Sequence, residues 1–181
     1  MGTLYAATTQ QSVGNTTTET SLFPNAITLP PEFMVQNSQL RITILGGMRT
    51  KSATPGTLLI RCRWSNVLFN VLWEDSTYTP TVHTPSFLFK IESYILCTAA
   101  GASGTLIGQY YGTFFSGSGA ADVRQSVALI PVTIDTTQAA ILDITTIWQT
   151  ADVGNVITTT HCAIEVISDP GNFTGPAHIP P

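Results

Sequence analysis

Through the middle of the chain, apolar residues recur at every second position. Leu40, Ile42 and Ile44 alternate with Arg41 and Thr43, the two-residue period of a strand with one wet face. Gly46-Gly47 predicts a bulge or bend in that strand. After a turn at Thr54-Pro55-Gly56, Leu58, Ile60, Cys62 and Trp64 share one face and Arg61 and Arg63 the other. Asn66–Trp73 is a further apolar run, and Glu74–Pro85, with Pro80 and Pro85, reads as a loop. Phe87, Phe89, Ile91, Ile95 and Cys97 mark one face of a long strand, with Lys90 and Glu92 opposite. Gly101–Gly104 then turns the chain into Thr105–Phe115, and Ser116–Ala121 is a Gly/Ser tip. Val127–Asp135 and Ile141–Trp148 are two more strands, Gly154-Asn155 is a turn, and Val156–Ile167 is the last strand. Ala139–Trp148 is the segment closest to a helical pattern, but Ile141, Ile144, Thr145, Thr146 and Ile147 are β-branched and assign it to a strand. About eight strands at this spacing predict an all-β fold, an antiparallel two-sheet sandwich with the jelly roll as the expected arrangement.

The two ends break the pattern. Residues 1–20, with Ala6-Ala7-Thr8-Thr9-Gln10-Gln11 and Thr16-Thr17-Thr18, show no period and predict an extended arm. Residues 168–181 contain Pro170, Gly171, Gly175, Pro176, Pro180 and Pro181, a composition that excludes helix and central strand. The expected organisation is an N-terminal arm over 1–20, a sandwich over 21–167 and a Pro/Gly-rich tail over 168–181. Residues 1–15 and 168–181 are expected to be mobile in the isolated protein and to lie across a neighbouring subunit, so that their removal leaves the melting temperature nearly unchanged.

Composition sharpens the picture. The 181 residues suit one domain, large enough to hold a core without a disulfide or metal. Only 10% of residues are charged, against about 25% in globular proteins generally, while 29 are threonine. A surface of hydroxyls in place of charges suits contact with other subunits. The net charge is -4, and the first Lys or Arg is Arg41. Binding a phosphate backbone requires clustered cations, so no nucleic-acid partner is expected. No run approaches the length of a membrane span, and Met1–Gln11 lacks the features of a signal peptide. Synthesis in the cytoplasm is therefore expected, where the sequons at Asn15 and Asn172 carry no meaning.

Candidate chemistry is sparse. His83, His161 and His178 show no metal-site spacing, and no Cys lies near another. His83 with Glu74 and Asp75 would bind a metal only if their loop folded back, and His161 is expected to face outward on its strand. No Gly-x-Ser-x-Gly elbow is present, so Gly117-Ser118-Gly119 reads as flexibility. Gly101-Ala102-Ser103-Gly104 is a turn without the Lys-Ser/Thr of a phosphate loop. The eleven acids are spread singly, and Glu74 and Asp75 point to opposite sides if extended. Trp64, Trp73 and Trp148 lie in strand runs and are expected to pack in the core or between subunits. Tyr110-Tyr111 and Phe114-Phe115 place one ring of each pair on each face of their strand. No catalytic residue, metal ligand or cofactor is assigned, and the chain is expected not to be an enzyme.

Several phrases carry a resemblance. Thr18-Glu19-Thr20-Ser21-Leu22-Phe23, Leu29-Pro30 and Leu40-Arg41-Ile42-Thr43-Ile44 resemble a family of phage virion proteins. So do Pro55-Gly56-Thr57-Leu58, Phe89-Lys90-Ile91-Glu92, Ala102-Ser103-Gly104-Thr105, Asp135-Thr136-Thr137-Gln138-Ala139 and the Asn155–Val166 strand. The likeness spans residues 16–167. It implies a jelly-roll-like module on the outside of a phage particle, expected as a homotrimeric capsid decoration (cement) protein bound to the major capsid protein. The alternative it implies is a tail or head-fibre domain binding host glycans. It brings no catalytic residues.

Cys62, Cys97 and Cys162 each sit inside an apolar strand run, which predicts buried free thiols. Thiol labelling of the unfolded protein is expected to find three free thiols per chain by mass spectrometry. A bridge between any two would overturn the reading.

Overall fold

A computed structural model describes residues 2–50, 55–65, 69–82, 86–115, 121–127 and 131–168. These form thirteen strands and no helix: β1 (Gly2–Ala7), β2 (Gln11–Gly14), β3 (Thr20–Ser21), β4 (Ile27–Leu29), β5 (Gln39–Arg49), β6 (Leu58–Ser65), β7 (Phe69–Tyr78), β8 (Phe87–Ala99), β9 (Gly104–Phe115), β10 (Ala121–Val127), β11 (Val132–Ile134), β12 (Ala140–Trp148) and β13 (Val156–Ser168). Two antiparallel sheets pack face to face. The larger runs β1-β13-β5-β8-β9-β10, with β2 also on β13 and β11 also on β9. The smaller runs β3-β12-β6-β7, with β4 also on β12.

When β1 and β2 are taken as one interrupted strand, and β3 and β4 as a second, this order is that of a jelly roll. The first, last, third and sixth strands then share one sheet, and the second, seventh, fourth and fifth share the other. Strands β9, β10 and β11 extend the larger sheet beyond β8.

This topology corrects the expected N-terminal arm. Residues 2–14 are the first strand of the roll, hydrogen-bonded along β13 from Gly2↔Val166 to Gly14↔Val156. Leu4, Tyr5, Ala7 and Val13 are buried. The apolar period is hidden from sequence because the strand breaks between Ala7 and Gln11. That break lies where Thr160 is inserted as a bulge in β13, between Thr159↔Gly46 and His161↔Leu45. The bulge also switches which residues of β13 face inward, from Ile157 and Thr159 to Cys162 and Ile164. The bulge expected in β5 at Gly46-Gly47 is not there: β5 pairs with β8 in unbroken register through both glycines, and the extra residue lies in the partner strand β13. A Cβ on Gly46 would overlap the Thr158 carbonyl and the Phe89 ring. The tail over 168–181 lies outside the described residues apart from Ser168.

Two smaller corrections concern the middle. The expected loop at 74–85 is strand as far as Tyr78, held by cross-strand pairing of β7 to β6. The single strand expected over 127–135 is instead the end of β10 and the separate β11, with 128–130 outside the described residues.

The core is aromatic where the two sheets meet beneath β9. Trp73 of β7 stacks on Tyr110 of β9 with centroids 4.6 Å apart, and its indole N–H donates to Ser93 at 2.8 Å. Tyr78 stacks on Phe114 at 4.2 Å. These rings fit because β9 alternates them with glycine on its inner face. A Cβ on Gly112 would collide with the Tyr110 hydroxyl, and one on Gly108 with Trp73. Trp64 and Trp148 are also buried in the core.

Two stability outcomes follow from this packing. Trp148→Ala is expected to cost roughly 3–5 kcal/mol in urea denaturation. Trp148→Phe is expected to cost less, because the buried indole N–H has no hydrogen-bond partner to lose. Deleting residues 2–14 is expected to cost at least about 5 kcal/mol, since it removes the burial of Leu4, Tyr5 and Val13 and exposes the core they cover and one edge of β13. An unchanged melting temperature would restore the mobile-arm reading.

Candidate functional site

The smaller sheet turns a polar face away from the core, and its strands bring together residues far apart in sequence. On β12, Leu142 and Ile144 are fully buried, which turns Ile141 and Asp143 outward. The β12–β6 register sets Asp143 opposite Arg63 and Thr145 opposite Arg61. On the other side, β3 sets Ser21 opposite Thr145, and Glu19 just precedes β3. The result is a cleft of about 300 Å³ lined by Glu19, Ser21, Arg63, Ile141, Asp143 and Thr145.

The two carboxylates in this cleft differ. Glu19 receives Arg63 Nε and Nη2, both at 2.5 Å, and the Thr145 hydroxyl at 2.5 Å, with Arg61 at 3.5 Å. Burial raises its pKa, but the hydrogen bonds from Arg63 and Thr145 and the charges of Arg63 and Arg61 outweigh that, so it stays below the usual value. Asp143 receives the Ser21 hydroxyl at 2.6 Å and forms no salt bridge among the described residues. Burial dominates there, and its pKa is pushed up to about 6 despite the Ser21 hydroxyl, the Ile144 N–H and the charge of Arg63.

A pair of carboxyls pushed in opposite directions is the pattern of an acid and a base in one active site. The geometry here argues against hydrolysis. Both oxygens of Glu19 are held by Arg63, and one also by Thr145, so its lone pairs are committed. What remains open to a ligand is Asp143, flanked by the half-exposed Ile141 side chain. The arrangement suits binding.

A second charged cluster joins the sheets. Arg124 of β10 donates to both oxygens of the buried Asp75 of β7 at 3.1 Å, and to Thr77 at 2.5 Å. Its guanidinium carbon lies 5.7 Å from the centre of the Tyr78 ring. This pair ties the extension of the larger sheet to the edge of the smaller one and is committed to structure.

The residues singled out in the sequence fall elsewhere. Glu74 faces outward and pairs with Arg61 at 2.5 Å, while Asp75 faces inward, so the two do point apart. His83, Gly117-Ser118-Gly119 and His178 lie outside the described residues. His161 is half-buried on β13, on the opposite side from its inward-facing neighbour Cys162. The three cysteines are buried and free. Burial raises each thiol pKa, that of Cys162 to about 11, which keeps them unreactive. Among the described residues no group of three or more His, Cys, Asp or Glu could hold a metal ion. Sequence reasoning missed the cleft. Its outward Arg63 was legible from alternation, but the pairings that bring Glu19, Ser21 and Asp143 to it are long-range.

No protein-family model matches the sequence. No curated protein matches it either. Among solved structures, the chain is similar to a protein of unknown function from Shewanella oneidensis MR-1. Identity is 15% and the TM-score 0.41, over 91% of this chain and 74% of that one. A likeness that distant carries no statement of function.

The cleft predicts a pH signature. The Asp143 pKa rises from 3.8 unfolded to about 6 folded, so its contribution to stability is complete below about 4 and lost as pH rises through 6. Glu19 has the opposite sign: its contribution is present above its ordinary value of 4.5 and lost as pH falls. Asp143→Asn removes the first effect. The variant is expected to gain on the wild type between pH 4 and 7, by up to about 3 kcal/mol in urea denaturation. A difference that does not change with pH would show that Asp143 is solvated.

Proposed function

We propose that this chain is a non-enzymatic structural protein of a bacteriophage particle, a decoration protein seated on the outside of the head and bound to the major capsid protein. The observation that carries the reading is the outer face of the larger sheet. Leu45, Leu88, Tyr111, Phe115 and Val123 are exposed there on adjacent strands β5, β8, β9 and β10, with Leu88 and Val123 about 70% accessible. Exposed apolar side chains gathered on one sheet face mark a contact site. The charges near it are already matched, Lys90 with Glu92 at 3.1 Å and Arg41 with Glu165 at 2.6 Å. A homotrimer joined to the shell through such a face adds buried area that exists only in the assembled state, and it stabilises that state by mass action.

The sequence phrases that resemble phage virion proteins support the same assignment. A fibre or tail domain binding glycans is the second reading. The small cleft on the other sheet offers hydroxyl and carboxylate groups for it, but its lining includes no aromatic ring for a sugar to stack on.

Quantitative mass spectrometry of purified virions is expected to find hundreds of copies per particle, whereas a few dozen would favour the fibre. Attachment through an apolar face is weakly screened, so most of the protein is expected to stay bound in about 0.5 M salt. Leu88→Asp combined with Val123→Asp is expected to lower occupancy at least tenfold. Because both side chains are exposed, stability should change by no more than about 1 kcal/mol. Full occupancy by the double variant would exclude this face.

A further inference from the structure

We propose that the cleft between β3, β6 and β12 is a receptor for one cationic side-chain group, a guanidinium or an ammonium, presented by a partner protein. The inference is independent of the apolar face on the other sheet and of which particle the chain belongs to.

Charge balance is the first argument. Among the described residues three carboxylates face this surface, Glu19, Glu74 and Asp143, against two guanidiniums, Arg61 and Arg63. Arg63 is committed to Glu19 through two hydrogen bonds, and Arg61 bridges Glu74 and Glu19. The carboxylate left over is Asp143, with the Ser21 hydroxyl as its side-chain donor. A half-buried carboxylate without a counter-ion is costly, and an incoming cation relieves that cost.

Shape is the second argument. At about 300 Å³ the cleft is at the lower limit for small-molecule sites, enough for a single side chain or fragment and too small for an oligosaccharide. Ile141, 40% exposed beside Asp143, offers an apolar wall to the methylene stem of a lysine or arginine while the head reaches the carboxylate. The ring of fixed partners around Glu19 keeps the cleft rigid. A guanidinium is expected to bind more tightly than an ammonium, because it presents two parallel N–H groups to one carboxylate.

Binding is coupled to protonation. The charged groups facing Asp143 are Glu19 ahead of β3, Arg61 and Arg63 on β6 and Glu74 on β7. Of these, Asp143 is the group whose carboxyl titrates near 6. The cation requires the ionised form, so affinity should fall roughly tenfold between pH 7.5 and pH 5.

Butylguanidinium, butylammonium and the neutral butylurea test this directly when titrated into the full chain and followed by amide chemical shifts. Both cations are expected to perturb Ser21, Arg63, Asp143 and Thr145 saturably at pH 7.5, with butylurea at least tenfold weaker. Asp143→Asn is expected to abolish the response. Ile141→Lys places an ammonium two residues along the same strand face, so it should block the cleft from within and exclude both probes. Should Asp143→Asn not fold, Ile141→Lys, at an exposed position, decides alone. Absence of saturable shifts, equal binding of butylurea, or undiminished binding to either folded variant would overturn the proposal.

Discussion

Strand β13 is bonded on both sides, to β5 along one edge and to the N-terminal strands β1 and β2 along the other. That double pairing is what the sandwich depends on. It closes the larger sheet with residues from the beginning of the chain, and it places Leu4, Tyr5 and Val13 in the same core as Ile157, Cys162 and Ile164. The one-residue bulge at Thr160 makes the closure possible, because a strand this long otherwise keeps one parity of side chains throughout. With the bulge, both halves of β13 present apolar residues to the interior while the twist between the sheets is accommodated. The neighbouring strand meets the same irregularity by breaking into two.

In the smaller sheet β12 is held between β3 and β4 on one side and β6 on the other, and the cleft follows from β12. Between β3 and β6, its outward residues face polar neighbours that belong to the second and fourth strands of the roll. Arg63 pairs with Glu19, and among the described residues no cation forms an ion pair with Asp143. The outer face of the smaller sheet thus carries a charged cluster with one carboxylate left without an ion pair among the described residues, while the outer face of the larger one sets exposed apolar side chains among matched ion pairs. The two faces offer different kinds of contact to different partners.

What the sequence disclosed was local. The alternation of Leu58, Ile60, Cys62 and Trp64 with Arg61 and Arg63, and the long apolar face of Phe87–Cys97, predict strands because a half-buried strand writes its period into neighbouring residues. Ala140–Trp148 is strand for the same reason, through its β-branched content. The first strand of the roll was illegible because its break falls opposite a bulge some 150 residues away, so no continuous period survives in Ala6–Gln11. The strand beyond Glu74 was hidden by its acids: Glu74 and Asp75 look like loop residues until Arg61 and Arg124, supplied by other strands, are set against them. Likewise Glu19 and Asp143 lie 124 positions apart and become one site only through the pairing of β3 with β12. Solitary acids in a sequence carry no sign of which cation or hydroxyl the fold will bring to them.

The union of Gly2 with Val166 also has a temporal side. During synthesis the first strand emerges with its apolar residues exposed and no edge to join, and it stays so until β13 has been made. Contacts between residues so distant in sequence form late, after the entropy of closing the intervening loop has been lost. The nascent protein therefore passes through a stage in which the smaller sheet and β5–β9 can assemble while the site for β1 and β2 is still missing. In that interval an unpaired strand from one nascent chain can join the open sheet of another.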